Sequence, residues 1–304
     1  MDSVLTANLR DRFSNQVQEK VSLAPYTSAR IGGPADILVT VRTSKELSDT
    51  VQACWDANLG FTLIGGGTNV LISDKGVRGV VILNKSKASE FRLDPEPSVW
   101  AESGVVLSNL AHRCAAQGLA GLEWAATVPG TIGGAVYGNA GAFGSDIAHN
   151  LLRAEILTES GRTWWSLDKM EYGYRSSNLK HNHQKAIILS AEFGLNYAPN
   201  ETIKATIDQF TARRKASQPA GASMGSMFKN PPGDFSGRLI EAAGLKGTRI
   251  GTAEISTVHG NFFINHGETR AADIKALIML VQKTVLDKFN VKLELEVELI
   301  GEWE

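Results

Sequence analysis

Cysteine is nearly missing from this chain: 304 residues contain only Cys54 and Cys114. The two lie far apart and outside any metal-ligand spacing, which argues against a disulfide framework or a metal centre. They are expected to be reduced core residues. Net charge is equally scarce, at −1 from 31 basic and 32 acidic side chains. The overall electrostatics therefore point to neither nucleic acid nor an anionic membrane, although a local site for a phosphate-bearing ligand stays open. Long apolar runs are absent as well. No stretch approaches the ~20 residues of a membrane span, and the opening "MDSVLTANLRDRFSNQVQEK" lacks the apolar run of a signal peptide. The expectation is a soluble, cytoplasmic protein. Internal repeats and low-complexity tails are missing too.

What is present is ample for a core: 43% of the residues are hydrophobic, and the length suggests two or three structural units. "DILVTV" reads as a strand, and Thr43 with Glu46 three residues on has the form of a capping box. Leu47, Val51, Cys54 and Trp55 then share a helical face that Gly60 is expected to end. "FTLI" follows as a strand, so the chain opens as α/β. Further strands are expected at "GVVIL", "VWAES", "AEILTES" and "AIILSAEFGL", with a helix through Leu107, Leu110, Ala111 and Cys114 ending near Gly118. A polar passage centred on a helix from about Thr202 places a domain boundary near residue 200. Ile274, Leu277, Ile278, Val281 and Val285 mark a strongly amphipathic helix, and "KLELEVELIGEW" reads as a closing strand with one acidic face.

Two glycine-dense loops carry the first chemical signal. "LIGGGTNVL" places three glycines straight after a strand, where backbone amides can form an anion nest. Thr68, Asn69 and the apolar residues after them do not open a helix in the Gly-x-Gly-x-x-Gly spacing, so a Rossmann site is rejected. "GLEWAATVPGTIGGAVYGNAGAFG", from Gly121 to Gly144, adds seven more glycines. Two such loops in one half of the chain suggest a long ligand with a central diphosphate; the competing reading is close backbone packing at sheet corners. In "YGYRSS", Arg175 could hold a carboxylate through paired hydrogen bonds or sit on the surface in a solvated ion pair. Ser226, in "GSMFKNPPGDFSGRLIEAAGLKG", lacks a histidine or carboxylate in nucleophile-elbow spacing, which speaks against a hydrolase, but a serine hydroxyl can donate a proton to carbon. Periodicity does not choose among Glu294, Glu296 and Glu298. His259 is either a ligand contact or a polar cap.

In order and spacing, "TSARIGGPAD", "IGGGTNVLISDKGVRGVVI", "WAATVPGTIGGAVYGNAGAFG", "YGYRSS", "GSMFKNP" and "LEVELIG" together closely resemble the UDP-N-acetylenolpyruvoylglucosamine reductase (MurB) family, over nearly the whole chain. The resemblance implies an α+β protein: an FAD-binding part of the vanillyl-alcohol-oxidase-like (PCMH) type with two α/β subdomains, and an α+β substrate-binding domain. The expected division is 1–200 and 201–304, with a last strand at about 291–304 returning to the FAD-binding part. It implies non-covalent FAD beside Gly65, Gly66, Gly67, Thr68 and Asn69 and beside Pro129, Gly130, Gly133, Gly134, Asn139 and Gly141, with NADPH as co-substrate. The implied catalytic residues are Arg175, Ser226 as proton donor to C2, and Glu296, with hydride passing from reduced flavin N5 to C3 of the enolpyruvyl group. Lys215, Lys229, Asn230, Arg238 and His259 are the implied contacts to the UDP part of the substrate. The short interval from Arg175 to Ser226 resembles the type II subclass, whereas Glu254 stands where glutamine is more usual. No metal, nucleic acid or membrane partner is implied, and the oligomeric state is left open. Two alternatives are another FAD-dependent oxidase or dehydrogenase of the same superfamily and a non-catalytic UDP-sugar-binding protein.

Overall fold

The computed structural model describes residues 16–182 and 185–303; most of the segment inspected for a signal peptide lies outside the described residues. The chain divides into two compact units, each assembled from separated stretches of sequence. Of the described residues, the first takes in 16–17, 39–66, 81–182 and 185–214, and the second 18–38, 67–80 and 215–303. The division falls inside three strands, Val17–Ser22, Pro34–Val41 and Val77–Asn84, and inside the helix Asn200–Ser217.

The first unit is built on an antiparallel five-stranded sheet in the order Gly161–Ser166, Leu151–Thr158, Ala186–Gly194, Ser98–Glu102, Ser89–Arg92. The central strand Ala186–Gly194 is buried at every position but its ends, which is why its sequence reads as a nearly continuous apolar run. On the helix Leu107–Ala116, the four residues Leu107, Leu110, Ala111 and Cys114 are all buried, as their spacing requires. The helix Ser44–Asp56 begins with half of the expected capping box: the Thr43 hydroxyl accepts from the Glu46 N–H at 3.1 Å, while the Glu46 carboxylate accepts from the N–H of Arg42, one residue before the cap, at 2.7 Å. Its end differs from expectation. Asn58 turns left-handed at φ 52°, and the Leu59 N–H closes onto the Cys54 carbonyl at 2.8 Å, so the helix stops at Asp56 rather than Gly60. Burial raises the thiol of Cys54 to about 11 and that of Cys114 to about 12. Both are inert core residues at neutral pH.

In the second unit an antiparallel sheet of Arg249–Ile250, Ala253–Ile255 and Phe263–Asn265 packs with the helix Ala271–Phe289. Ile274, Leu277, Ile278, Val281 and Val285 all face its core. The start of that helix is capped from a distant loop, since the Asp74 carboxylate accepts from the Ala271 and Ala272 N–H groups at 2.8 and 2.9 Å. The closing strand is shorter than its alternation suggests. Only Glu298–Ile300 is regular, paired in parallel with Val70–Ile72. Just before it the backbone pairs instead with the loop at Met227–Lys229, so no single partner strand runs along the whole segment. Among the described residues, no helix is long and apolar enough to cross a membrane.

Candidate active site

The glycines of the two loops separate by what lies behind them. In the first unit, a Cβ at Gly65 would collide with the Thr131 hydroxyl, and one at Gly133 would stand 2.9 Å from the Ser103 Cβ. Close packing therefore accounts for both positions. Gly130 adopts φ 118°, a conformation that strains any L side chain, and its carbonyl accepts from the Leu107 N–H. Gly134 is different: a Cβ there meets no atom closer than the Thr131 hydroxyl at 3.8 Å, and the residue is exposed, as are Gly66 and Pro129. In the second unit Gly67 is left-handed and abuts the Tyr26 carbonyl, and Thr68 is half-buried. The Asn69 side chain donates to the Glu296 carbonyl at 2.9 Å, so Asn69 braces the segment that carries that glutamate.

The second loop also positions Arg175. Gly173 and Ser176 exchange backbone hydrogen bonds across a tight turn, with Arg175 left-handed at φ 54°. The turn is sewn to the end of the helix Ile132–Gly138: Tyr172 donates to the Val136 carbonyl at 2.9 Å, Ser177 to the Tyr137 carbonyl at 2.6 Å, and Asn139 to the Gly173 carbonyl at 3.1 Å. Burial, then the nearby Asp146 charge, push the Tyr172 phenol well above its ordinary range, which keeps it a neutral donor. Asn139 also donates to Asp146 and accepts from the Ala148 N–H, so its side chain is engaged inside the unit. The Arg175 Nη2 donates to the Gly141 carbonyl at 2.9 Å.

Ser226 and Glu296 occupy facing backbone segments of the second unit. The Glu296 N–H donates to the Met227 carbonyl at 2.9 Å, and Ser226 bridges to Phe262. Sequence reading missed Asn261, which is buried and clamps this segment from both sides. Its carbonyl groups accept from the Met227 and Phe228 N–H groups, and its amide donates to the Phe228 carbonyl. Its only sequence signal is an asparagine just ahead of the apolar run in "HGNFFIN". Lys229 lies next in line and pairs with Glu294 at 3.5 Å. The Asn230 side-chain Oδ1 accepts from the Ser236 N–H at 3.1 Å, which makes it a brace for the helix Ser236–Ala242. Arg238 forms a paired contact with Asp234, whose carboxyl is held down at about 2 by that hydrogen bond. His259 lies against Gly237, where a Cβ would be 2.8 Å from its Cε1. Burial lowers its pKa, and its Nδ1 accepts from the Asn261 N–H, leaving a neutral ring with its proton on Nε2. Lys215 is exposed on the last turn of the helix Asn200–Ser217. Arg214 beside it, also missed, is half-buried with its guanidinium lowered by desolvation and no carboxylate partner among the described residues.

Glu254 is explained by its neighbours. Its carboxylate is buried, yet it accepts from Arg249 and lies 2.8 Å from the His266 Nε2. Burial works to raise its pKa, and the contacts to Arg249 and His266 outweigh that and lower it. A carboxyl depressed in the fold contributes stability above its unfolded pKa and loses it as pH falls through the folded value. Glu254→Gln is expected to cost about 1 kcal/mol at neutral pH. The difference from the parent chain should shrink as pH falls below the ordinary glutamate range, as read by thermal unfolding at each pH; a constant difference would count against the pairing.

Two family models match: residues 217–300, all in the second unit, match the C-terminal domain of UDP-N-acetylenolpyruvoylglucosamine reductase, and residues 35–166, most of them in the first unit, match the FAD binding domain. The first unit fits that cofactor on its own features, because the exposed Gly134 leaves backbone uncovered and the Trp124 indole N–H and Thr127 hydroxyl are buried with no protein partner among the described residues. The UDP-N-acetylenolpyruvoylglucosamine reductase of Chloroflexus aggregans is 44% identical over 285 residues, covering 91% of this chain and 95% of that one. The crystal structure of the reductase (MurB) from Thermus caldophilus superposes with a TM-score of 0.79 at 34% identity, covering 92% of this chain and 98% of that one. An alkyldihydroxyacetonephosphate synthase structure, 16% identical with a TM-score of 0.50 over 66% of this chain and 42% of its own, shares the fold of that part. With both family models matched and likeness extending along nine-tenths of its length, the chain belongs to the UDP-N-acetylenolpyruvoylglucosamine reductase family of FAD-binding oxidoreductases.

Proposed function

We propose that the chain reduces the enolpyruvyl group of UDP-N-acetylglucosamine enolpyruvate to UDP-N-acetylmuramate for peptidoglycan synthesis, with NADPH as reductant, in the cytoplasm. The observation that carries this reading is the pairing of the Ser226 and Glu296 segments through the Glu296 N–H and the Met227 carbonyl. A proton donor and a carboxyl group are thereby held on one rigid backbone frame. FAD held beside Gly134, Trp124 and Thr127 would, once reduced by NADPH, supply the hydride that the vinyl carbon C3 accepts. Negative charge then develops at C2 and spreads into the adjoining carboxylate. Arg175 offers that carboxylate a charged, forked donor, and its attachment to Gly141 fixes the fork's direction. Glu296 polarises the same enolate-like carboxyl system with a proton or a bridging group between the two carboxyls, and the Ser226 hydroxyl gives its proton to C2. On the nucleotide side, Lys215, Lys229 and the His259 Nε2–H are the donors for the UDP moiety. Asn230 and Arg238, engaged with Ser236 and Asp234, act mainly by shaping the loop between Pro231 and the helix.

Flavin absorption of the purified protein tests the scheme directly. NADPH should bleach the oxidised flavin bands, and the enolpyruvyl substrate added under anaerobic conditions should restore them within one turnover. Flavin that is bleached by NADPH but never reoxidised by that substrate would sink the proposal.

A further inference from the structure

The hairpin that holds Arg175 is itself strained. Gly141–Ala142 pairs with Ser145–Asp146, and both tip residues are left-handed, Phe143 at φ 56° and Gly144 at φ 89°. Such two-residue turns favour Asn-Gly or Gly at the tip, and a bulky aromatic pays a steric penalty there. Backbone strain of this kind persists only where surrounding contacts impose it. Here the contact is identifiable. The Phe143 ring stacks on Phe210 with centroids 4.4 Å apart and planes 4° apart, and the Arg213 guanidinium lies 5.8 Å from the Phe143 centroid. Phe210 and Arg213, three residues apart, present one face of the helix Asn200–Ser217 to the tip. At its base the same hairpin accepts the Arg175 Nη2 at the Gly141 carbonyl and is tied through Asp146 and Asn139 to the Gly173 carbonyl of the arginine's own turn.

We infer that the Phe143–Phe210 stack is a positioning device for Arg175: it holds the strained hairpin whose Gly141 carbonyl orients the guanidinium. The inference rests on the reading of Arg175 as the group that binds the substrate carboxylate. The two phenylalanines act through Arg175. Their part is to keep the carbonyl, and with it the arginine fork, in one place during proton and hydride delivery, where a misplacement of an ångström is costly.

The test separates the two half-reactions. Phe210→Ala should leave FAD content and the rate of NADPH-driven bleaching within about twofold of the parent, and slow reoxidation by the enolpyruvyl substrate about tenfold. Phe210→Tyr, which keeps the stack, should restore the rate. In an Arg175→Ala background, Phe210→Ala should add nothing, because both changes act through one group. Phe143→Gly is the companion variant: it relieves the left-handed strain while removing the ring, so thermal stability should hold or rise while reoxidation still slows. If Phe210→Ala fails to retain FAD, Phe143→Gly carries the same comparison. Equal slowing of both half-reactions, or a full additional loss in the Arg175→Ala background, overturns the inference. Arg175→Ala with undiminished reoxidation would instead bring down the reading of Arg175, and the inference with it.

Discussion

Ser226→Ala is expected to slow reoxidation of the reduced flavin by the enolpyruvyl substrate by about 10²–10⁴-fold, the range associated with a positioned proton donor, while NADPH-driven bleaching stays close to that of the parent chain. The structure makes this a clean substitution. Ser226 is half-buried rather than packed in the core, and the backbone beside it is held by groups other than its hydroxyl. Met227 and Phe228 donate to the main-chain and side-chain carbonyls of Asn261, and Met227 accepts from the Glu296 N–H. Loss of the hydroxyl should therefore leave the frame standing. Stopped-flow absorbance of each half-reaction decides the matter. Equal loss in both would contradict a role as proton donor and point to damage at the flavin or in the fold.

Gly134→Val should reduce FAD affinity by about 5- to 150-fold, the equivalent of the 1–3 kcal/mol typical of forcing extra atoms into a fitted space. The contrast with its neighbour gives the prediction its content. At Gly133 a new side chain would run into Ser103, so a loss of FAD there would be confounded with misfolding. At Gly134 the protein itself offers no obstacle nearer than 3.8 Å, and the position is exposed. Valine at that point should leave thermal unfolding of the cofactor-free protein within a few degrees of the parent, while titration with FAD reports weakened binding. Unchanged FAD affinity in a folded Gly134→Val protein would remove this part of the loop from the cofactor site.

Much of the local structure was legible in the sequence because it depends on short-range periodicity. Leu107, Leu110, Ala111 and Cys114 lie on one helical face, and burial of all four follows from 3.6-residue repetition alone. The capping arrangement of Thr43 and Glu46 is equally local. The closing segment misled for a definable reason: alternation records which residues face inward, and says nothing about whether one partner strand or two successive partners satisfy the backbone. Leu299 accordingly continues the alternation yet is exposed.

The candidate site was legible in a different way. Arg175, Ser226 and Glu296 are recognisable because the motifs around them occur together in order, yet nothing in the sequence joins Ser226 to Asn261 or Arg175 to Phe210. Asn139 and Arg238 look alike in the sequence as polar groups in glycine-rich stretches near ligand motifs. In the fold one braces the arginine turn and the other pairs with Asp234. Glu254 in place of an expected glutamine gains a meaning only once Arg249 and His266 are found beside it.

By itself, then, the sequence determined the helices and strands with strong apolar repeats, the two glycine-dense loops and the family to which the chain belongs. Which of those glycines are required by protein packing and which leave backbone uncovered was decided only by the tertiary structure, as was the anchoring of Arg175 to a strained hairpin. The reason is physical: side-chain spacing along a segment sets the face it presents, whereas the atoms met by that face come from stretches tens to hundreds of residues away. Gly133 and Gly134 are identical and adjacent, and only Ser103 behind the first tells them apart.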